Sequence, residues 1–303
     1  MSLKRKLLLI FNPKSGVQRF TPYLFEIIDK LTAAGFLVTA YPTQAAGEVR
    51  QMIAQYAEGF DYLVCSGGDG TISEAIDALM RLKKRPAFGI IPSGTVNDFA
   101  VSLDIPKDVL TAADVITGAV PRPVDVGRFG DKHFSYVAAF GMFTDVSYST
   151  PQNTKNMIGK LAYFVEGIKR IGAVSPTYCE VMLDDEMVRG EFSLGVVGNA
   201  HSIAGFKIPE EIGVHMDDGL FEVLLVRELH TIKDRQELIS YLLNQDTKTN
   251  SAILRKVRKA SFHFATPTAW TLDGDFGGQV EKIYIENQHH AIEVLMPFIG
   301  GNT

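Results

Sequence analysis

Cysteine is scarce in this chain: Cys65 and Cys179 are the only two, and they stand far apart. A disulfide-stapled scaffold is excluded, and a reducing cytoplasm is the compartment that fits. Cys65 closes an apolar run, where a small buried thiol is the expected reading. Positive charge is also in deficit. Lys and Arg number 30 against 35 Asp and Glu, a formal net charge of −5, which argues against binding nucleic acid by bulk electrostatics. An anionic ligand would have to be held by a local cluster. Long apolar runs are missing too, and no segment reaches the roughly 20 residues of a membrane-spanning helix. Lys4-Arg5-Lys6 followed by Leu7-Leu8-Leu9-Ile10-Phe11 imitates the start of a signal peptide, but the run stops at Asn12-Pro13 and reads better as a first strand. Internal repeats and low-complexity segments are absent.

What is present is an ordinary globular composition, 46% hydrophobic and 21% charged over 303 residues, enough for two cores. The chain is organised around Leu63-Val64-Cys65-Ser66-Gly67-Gly68-Asp69-Gly70-Thr71. Strand-forming residues run into three glycines and an aspartate, and from Thr71 a helical pattern places Ile72, Ala75, Ile76 and Leu79 on one face. Glycines allow a close backbone approach, and free N–H groups at a turn and a helix N-terminus face any anion bound there. The turn has neither the lysine and Ser/Thr of a Walker A loop nor the spacing of a dinucleotide fingerprint. Asp69 would repel a polyphosphate unless a divalent cation lies between them or basic residues come from elsewhere. A tight turn in which Asp69 satisfies backbone N–H groups accounts for the same letters.

Around this stretch strands and helices alternate: strand 5–11, helix 23–34, strand 36–41, helix 47–56, strand 61–66 and, after the helix that Thr71 opens, strand 87–91. Such alternation predicts a parallel sheet covered on both faces, with ligands at the carboxyl ends of its strands. Three turns follow strand ends and are expected to converge: Asn12-Pro13-Lys14-Ser15-Gly16, the turn at 67–71, and Pro92-Ser93-Gly94-Thr95-Val96-Asn97-Asp98-Phe99. The third offers further N–H groups, the Thr95 hydroxyl, the Asn97 amide and a second carboxylate, Asp98. A helix cap with Asp98 in the first turn reads the same letters. A helix at 108–117 leads to Gly118-Ala119-Val120-Pro121-Arg122-Pro123, the expected boundary between a domain over 1–123 and one over 124–290. Beyond it, segments 124–129, 133–140, 178–183, 191–197, 220–226, 259–265, 269–272, 282–286 and 291–296 read as strands of an antiparallel sheet or sandwich, interrupted by helices at 158–171 and 231–243. Asp125, Asp217-Asp218-Gly219 and Asp273-Gly274-Asp275 stand out there, although Asp-Gly pairs are ordinary turn signals.

Together, the three turn motifs resemble the diacylglycerol kinase catalytic-domain family, which includes soluble bacterial diacylglycerol kinases and is related to the sphingosine and ceramide kinases. The Gly-Gly-Asp-Gly turn alone is shared with NAD kinases and phosphofructokinases; the Asn-Pro-Lys-Ser-Gly turn argues against NAD kinase. Family-like segments continue at Val124-Asp125-Val126-Gly127, Gly159-Lys160-Leu161-Ala162-Tyr163, Asp218-Gly219 and Leu272-Asp273-Gly274-Asp275, so the likeness covers nearly the whole chain. It implies an N-terminal α/β nucleotide-binding domain with a parallel sheet, a C-terminal antiparallel β-sandwich, and a cleft between them where ATP meets a lipid hydroxyl. The segment at 291–303 would pack back onto the first domain.

Carried over residue by residue, the resemblance implies ATP contacts from Asn12, Lys14, Ser15 and Arg19 and from Gly67, Gly68, Asp69, Gly70 and Thr71. Gly94, Thr95, Asn97 and Asp98 would complete them. Asp69 and Asp98 would hold the catalytic Mg²⁺, and Lys14 and Arg19 would neutralise phosphate charge. Asp218 would hold a structural Mg²⁺ linked through hydrogen bonds toward Asp125. The catalytic carboxylates would be Asp275, as proton acceptor, and Asp69. The implied reaction moves the γ-phosphate of ATP to a lipid hydroxyl, diacylglycerol becoming phosphatidic acid; the alternatives are an NAD kinase or a nucleotide-binding regulator without catalysis. The partner would be lipid at a membrane surface, met by reversible peripheral docking from the cytoplasm, with a homodimer left open and no nucleic acid. Two departures stand out. Asp275 occupies the place where the family pattern has glutamate, and Gly205-Phe206-Lys207-Ile208-Pro209 alters a glycine-rich family segment.

Overall fold

The computed structural model describes residues 5–13, 20–141, 175–203, 206–207, 213–244 and 249–298. By its contacts the chain divides into two compact units, one of residues 1–126, 132–135 and 288–303, the other of 127–131 and 136–287. In the first unit β1 (Arg5–Phe11), α1 (Leu24–Ala33), β2 (Phe36–Pro42), α2 (Glu48–Tyr56) and β3 (Tyr62–Gly67) follow one another. Then come α3 (Asp69–Met80), β4 (Ala87–Pro92), α4 (Asp98–Ser102) and α5 (Val109–Gly118). The strands pair in parallel in the order β2-β1-β3-β4. Leu7, Leu8, Leu9 and Ile10 of β1 are all buried, as a strand covered on both faces requires. The signal-like run is therefore the first sheet strand. Helical spacing supplies the cover: Ile27 and Leu31 from α1, Val49 and Ile53 from α2, Ile72, Ile76 and Leu79 from α3.

β5 (Pro121–Phe129) and β6 (Lys132–Phe134) follow, and residues 132–135 belong to the first unit. There His133 meets Asp77 of α3 twice, its backbone N–H donating to Oδ1 at 3.2 Å and its Nδ1 lying 3.1 Å from the same oxygen. Arg81 and Arg50 also pair with Asp77, at 3.1 and 3.2 Å.

The second unit is made of β7 (Val137–Gly141), β8 (Thr177–Leu183), β9 (Glu186–Gly198), the small pair β10 (Ser202–Ile203) and β11 (Phe206–Lys207), and β12 (Phe221–Arg227). It continues through α6 (Ile232–Asn244), β13 (Ala252–Val257), β14 (Lys259–Leu272) and β15 (Asp275–Leu295). Pairing here is antiparallel. β7 and β8 each pair with both β9 and β14, so these four strands close a ring. This barrel-like sheet differs from the sandwich that the sequence suggests. The reason lies in β9 and β14, which at 13 and 14 residues are long enough to pair β8 at one end and β7 at the other. The segments expected as separate strands at 259–265 and 269–272 are one strand, whose register against β15 shifts between His263 and Thr268. Trp270 and Phe140 fill the core with ring centroids 5.0 Å apart, and a Cβ at Gly195 would overlap the Phe140 ring. The helix expected at 158–171 lies outside the described residues.

β15 returns to the first unit at residue 288, where Val294 pairs in parallel with Phe88 of β4. Arg85 donates to the carbonyl of Ala291 at 2.9 Å and Arg122 to that of Pro297 at 3.1 Å.

Candidate active site

Because β1, β3 and β4 are neighbours, the turns that leave their carboxyl ends are tied together. The Asn12 N–H donates to Ser66 O at 3.1 Å, the Ser93 N–H donates to Gly67 O at 2.9 Å, and the Ser66 and Ser93 hydroxyls meet at 3.4 Å. The second and third turns touch through glycine: a Cβ on Gly94 would lie 2.5 Å from Gly68 Cα, so no other residue fits.

Asp69 opens α3, and its Oδ2 accepts the Asn97 N–H at 2.8 Å. Asn97 caps α4 in the left-handed region, at φ 59° and ψ 50°. Its amide is spent on its own turn, Oδ1 accepting the Gly94 N–H at 3.0 Å and Nδ2 donating to Gly94 O at 2.9 Å. Asn97 thus clamps the two glycine turns and steadies Asp69. Gly70 and Thr95 are exposed, Gly68, Thr71 and Gly94 half-buried, and Gly67 and Asp98 buried. Burial pushes the Asp69 carboxyl above its ordinary range; the Asn97 N–H opposes that shift and the charge of Asp98 adds to it. A carboxylate whose ionisation is made costly by burial and by a neighbouring carboxylate, beside a glycine turn, suits a hard divalent cation, which takes oxygen ligands and removes that cost. The residues present therefore fit a metal-bound polyphosphate. Lys14, Ser15 and Arg19 lie outside the described residues.

In the second unit, Asp273 and Gly274 take φ of 51° and 92° and make the hairpin turn between β14 and β15. Asp273 Oδ1 accepts the N–H groups of Tyr136 at 3.0 Å and Val137 at 3.1 Å. Asp275, two residues on, is exposed, and next to it Phe276 is 71% exposed. Asp218 Oδ1 accepts the Leu220 N–H at 2.9 Å in the turn that enters β12. Asp125, fully buried, has His289 Nδ1 at 3.0 Å and accepts the His290 N–H at 2.8 Å.

Sequence reasoning missed three groups. Asp77 and Glu222 are carboxylates inside apolar runs, a signal that each must find a partner, and His289-His290 carried no pattern. Glu222 is buried opposite Lys256, 3.3 Å away. Burial pushes its carboxyl up to about 7, Lys256 opposing and Asp218 adding to the rise. Both cysteines are free and buried, and burial pushes the Cys179 thiol up to about 12, which removes it as a nucleophile.

A family model of the diacylglycerol kinase catalytic domain matches residues 6–129. The diacylglycerol kinase of Bacillus subtilis (strain 168) is 31% identical over 293 residues, 95% of either chain. That of Staphylococcus saprophyticus subsp. saprophyticus is 32% identical over 298 residues, 97% of this chain and 96% of the other. A crystal structure from Bacillus anthracis str. Sterne, described as a diacylglycerol kinase, superimposes with a TM-score of 0.83 at 26% identity and covers 98% of both chains. Fold and relatives together define a lipid kinase. The chain belongs to the diacylglycerol kinase catalytic-domain family.

Proposed function

We propose that this chain is an ATP- and Mg²⁺-dependent lipid kinase that transfers the γ-phosphate of ATP to the free hydroxyl of diacylglycerol and yields phosphatidic acid. The observation that carries this is the Asp69 carboxylate, held by the Asn97 N–H at the contact of two glycine turns. Backbone N–H groups of those turns bind the phosphates, with Asn12, Ser15, Thr71 and Thr95 beside them, and Lys14 and Arg19 neutralise their charge. Asp69 and Asp98 hold Mg²⁺, which when bound supplies charge neutralisation and Lewis acidity at the phosphoryl oxygens. The lipid hydroxyl attacks the γ-phosphorus in line, the bond to ADP breaks, and the hydroxyl proton passes to Asp275.

On this reading residues 1–123 bind the nucleotide, with 291–303 packed back on them, and 124–290 serve the lipid. Asp218, with carbonyls and waters, would hold a second Mg²⁺ linked toward Asp125, whose charge would order the second domain. Loss of one bound cation in Asp218→Ala checks this; unchanged metal content and unchanged Mg²⁺ dependence of activity leave Asp218 as the turn residue that bonds Leu220. Among the described residues no helix is long and apolar enough to cross a membrane. We read the encounter with lipid as reversible peripheral docking from the cytoplasm, compatible with a homodimer. The deciding assay follows ADP formation by the purified chain with ATP, Mg²⁺ and a panel of lipids in mixed micelles, with NAD included. Lipid-dependent turnover with diacylglycerol preferred is expected. NAD phosphorylation without lipid turnover, or nucleotide binding with neither, overturns the assignment.

A further inference from the structure

β15 changes its inward face at one place. Ile285 and Asn287 are buried before it, Ile292 and Val294 after it, and His289 and His290 between them are both exposed. Odd positions point inward on one side of this pair and even positions on the other. Consecutive residues of a regular strand point to opposite faces, so two adjacent imidazoles should lie apart. They do not: His290 takes φ 52°, a left-handed region that few residues other than glycine occupy, and the two rings stack with centroids 3.6 Å apart at 29°. The kink delivers both histidines to the fully buried carboxylate of Asp125 on β5, with His289 Nδ1 3.0 Å from Oδ1. One ligand atom from each of Asp125, His289 and His290 lies within 4.8 Å of the other two.

We propose that Asp125, His289 and His290 form a site for a divalent transition-metal ion of the Zn²⁺ class, separate from the Mg²⁺ positions at Asp69 and Asp218. Two imidazole nitrogens and one carboxylate oxygen suit Zn²⁺, Co²⁺ or Ni²⁺, whereas Mg²⁺ and Ca²⁺ take oxygen throughout. Bonds of about 2.0–2.2 Å set tetrahedral donors about 3.3 Å apart; His289 Nδ1 is already 3.0 Å from Asp125 Oδ1, and the exposed His290 ring, within 4.8 Å of both, adjusts onto the ion while buried Asp125 stays fixed. Ligation through His289 Nδ1 sends any proton on that nitrogen to solvent, and water fills the fourth position. Such an ion fastens β5 to the returning end of β15, just ahead of the pairing of Val294 with Phe88. This site stands whether or not the chain phosphorylates a lipid.

The test uses the full chain, stripped with chelator and kept in millimolar Mg²⁺ so that oxygen-only sites are filled. Zn²⁺ is titrated by calorimetry and Co²⁺ by visible absorption, and melting temperature is followed with and without Zn²⁺. One equivalent of Zn²⁺ and a higher melting temperature are expected, with affinity falling roughly tenfold or more in His289→Ala and in His290→Gly. His290→Gly separates ligation from folding. Glycine adopts the left-handed backbone without strain, so the metal-free variant should melt no lower than the parent and yet lose the Zn²⁺-dependent shift. Zn²⁺ binding as tight in both variants as in the parent, or no Zn²⁺ binding by the parent at micromolar concentration, overturns the proposal.

Discussion

In the first unit, the aspartate of one Asp-Gly pair, Asp69, opens α3 with its carboxyl raised by burial and by the neighbouring charge of Asp98. In the second unit, the aspartate of another, Asp273, is 4% exposed and spends one oxygen on two backbone N–H groups, those of Tyr136 and Val137. The letters are the same and the surroundings differ. Asp273 is occupied in holding a hairpin turn against the start of β7. Asp69 carries a charge that its own surroundings disfavour, which is the condition in which a carboxylate gains most from a cation. An Asp-Gly pair thus marks a turn, and the groups within 3 Å or so decide whether its carboxylate is left for chemistry.

Asp69→Asn should break the comparison if it is wrong. The amide keeps an acceptor for the Asn97 N–H and loses the charge, so kcat/KM should fall by about three powers of ten or more. Stability should move the other way. The folded chain holds the Asp69 proton more tightly than the unfolded chain does, so the wild type loses stability as pH rises from about 4 toward the raised folded value. The metal-free variant at neutral pH should therefore melt no lower than the parent. Steady-state kinetics and calorimetry on one preparation check both; near-normal turnover would make Asp69 a turn residue like Asp273.

Asp275 comes next in size. Asp275→Asn should slow the chemical step by about two to four powers of ten in single-turnover measurements, with ATP binding retained. Aspartate reaches roughly 1.5 Å less far than glutamate, so Asp275→Glu separates two cases. A faster step means that the shorter arm is a compromise, and a slower one that the site has adapted to it. A near wild-type rate in Asp275→Asn leaves Asp69 or solvent as the proton acceptor.

The alternation of β1 to β4 with their helices was legible because it rests on local periodicity, and the positions of the glycine turns followed from it. Closure of the second sheet was not. Thr266-Pro267-Thr268 reads as a break between two strands, yet β14 continues through it at a shift of register, a place where proline is tolerated. Whether β7 and β8 share the same two partners is a matter of long-range pairing, to which no local pattern speaks. Asp77 and Glu222 were hidden for a related reason: their neighbours read as core, and their partners Arg50, His133 and Lys256 are distant in sequence. The Asp275 departure was legible at once, since it is a change of letter in a motif.

A smaller effect sharpens the contrast on the structural side. Asp273→Ala leaves the Tyr136 and Val137 N–H groups without their acceptor and puts alanine at φ 51°, a loss of about 2–3 kcal/mol in urea unfolding. Asparagine tolerates that backbone and retains an acceptor oxygen, so Asp273→Asn should cost under about 1 kcal/mol. Equal losses in the two variants would mean that neither bond holds the turn.

Asp77 brings the comparison onto a single helix, since α3 carries it two turns beyond Asp69. Burial alone would raise its carboxyl, but the hydrogen bonds of His133 and Arg81 and the charges of Arg81 and Arg50 outweigh burial and hold it down at about 2. Its linkage is the reverse of that of Asp69. With the folded value below the unfolded one, the stabilisation is present above about pH 4 and is lost as pH falls toward 2. Because Arg50 and Arg81 stand half in solvent, a contribution of about 1–2 kcal/mol is expected. Urea unfolding of Asp77→Asn beside the parent should show that gap at neutral pH and its closure by about pH 2. Asp69→Asn, on the same axis, should diverge from the parent as pH rises. If the Asp77→Asn and parent curves stay parallel through the acid range, the cations around Asp77 do not settle its charge, and the opposition between the two aspartates of α3 fails.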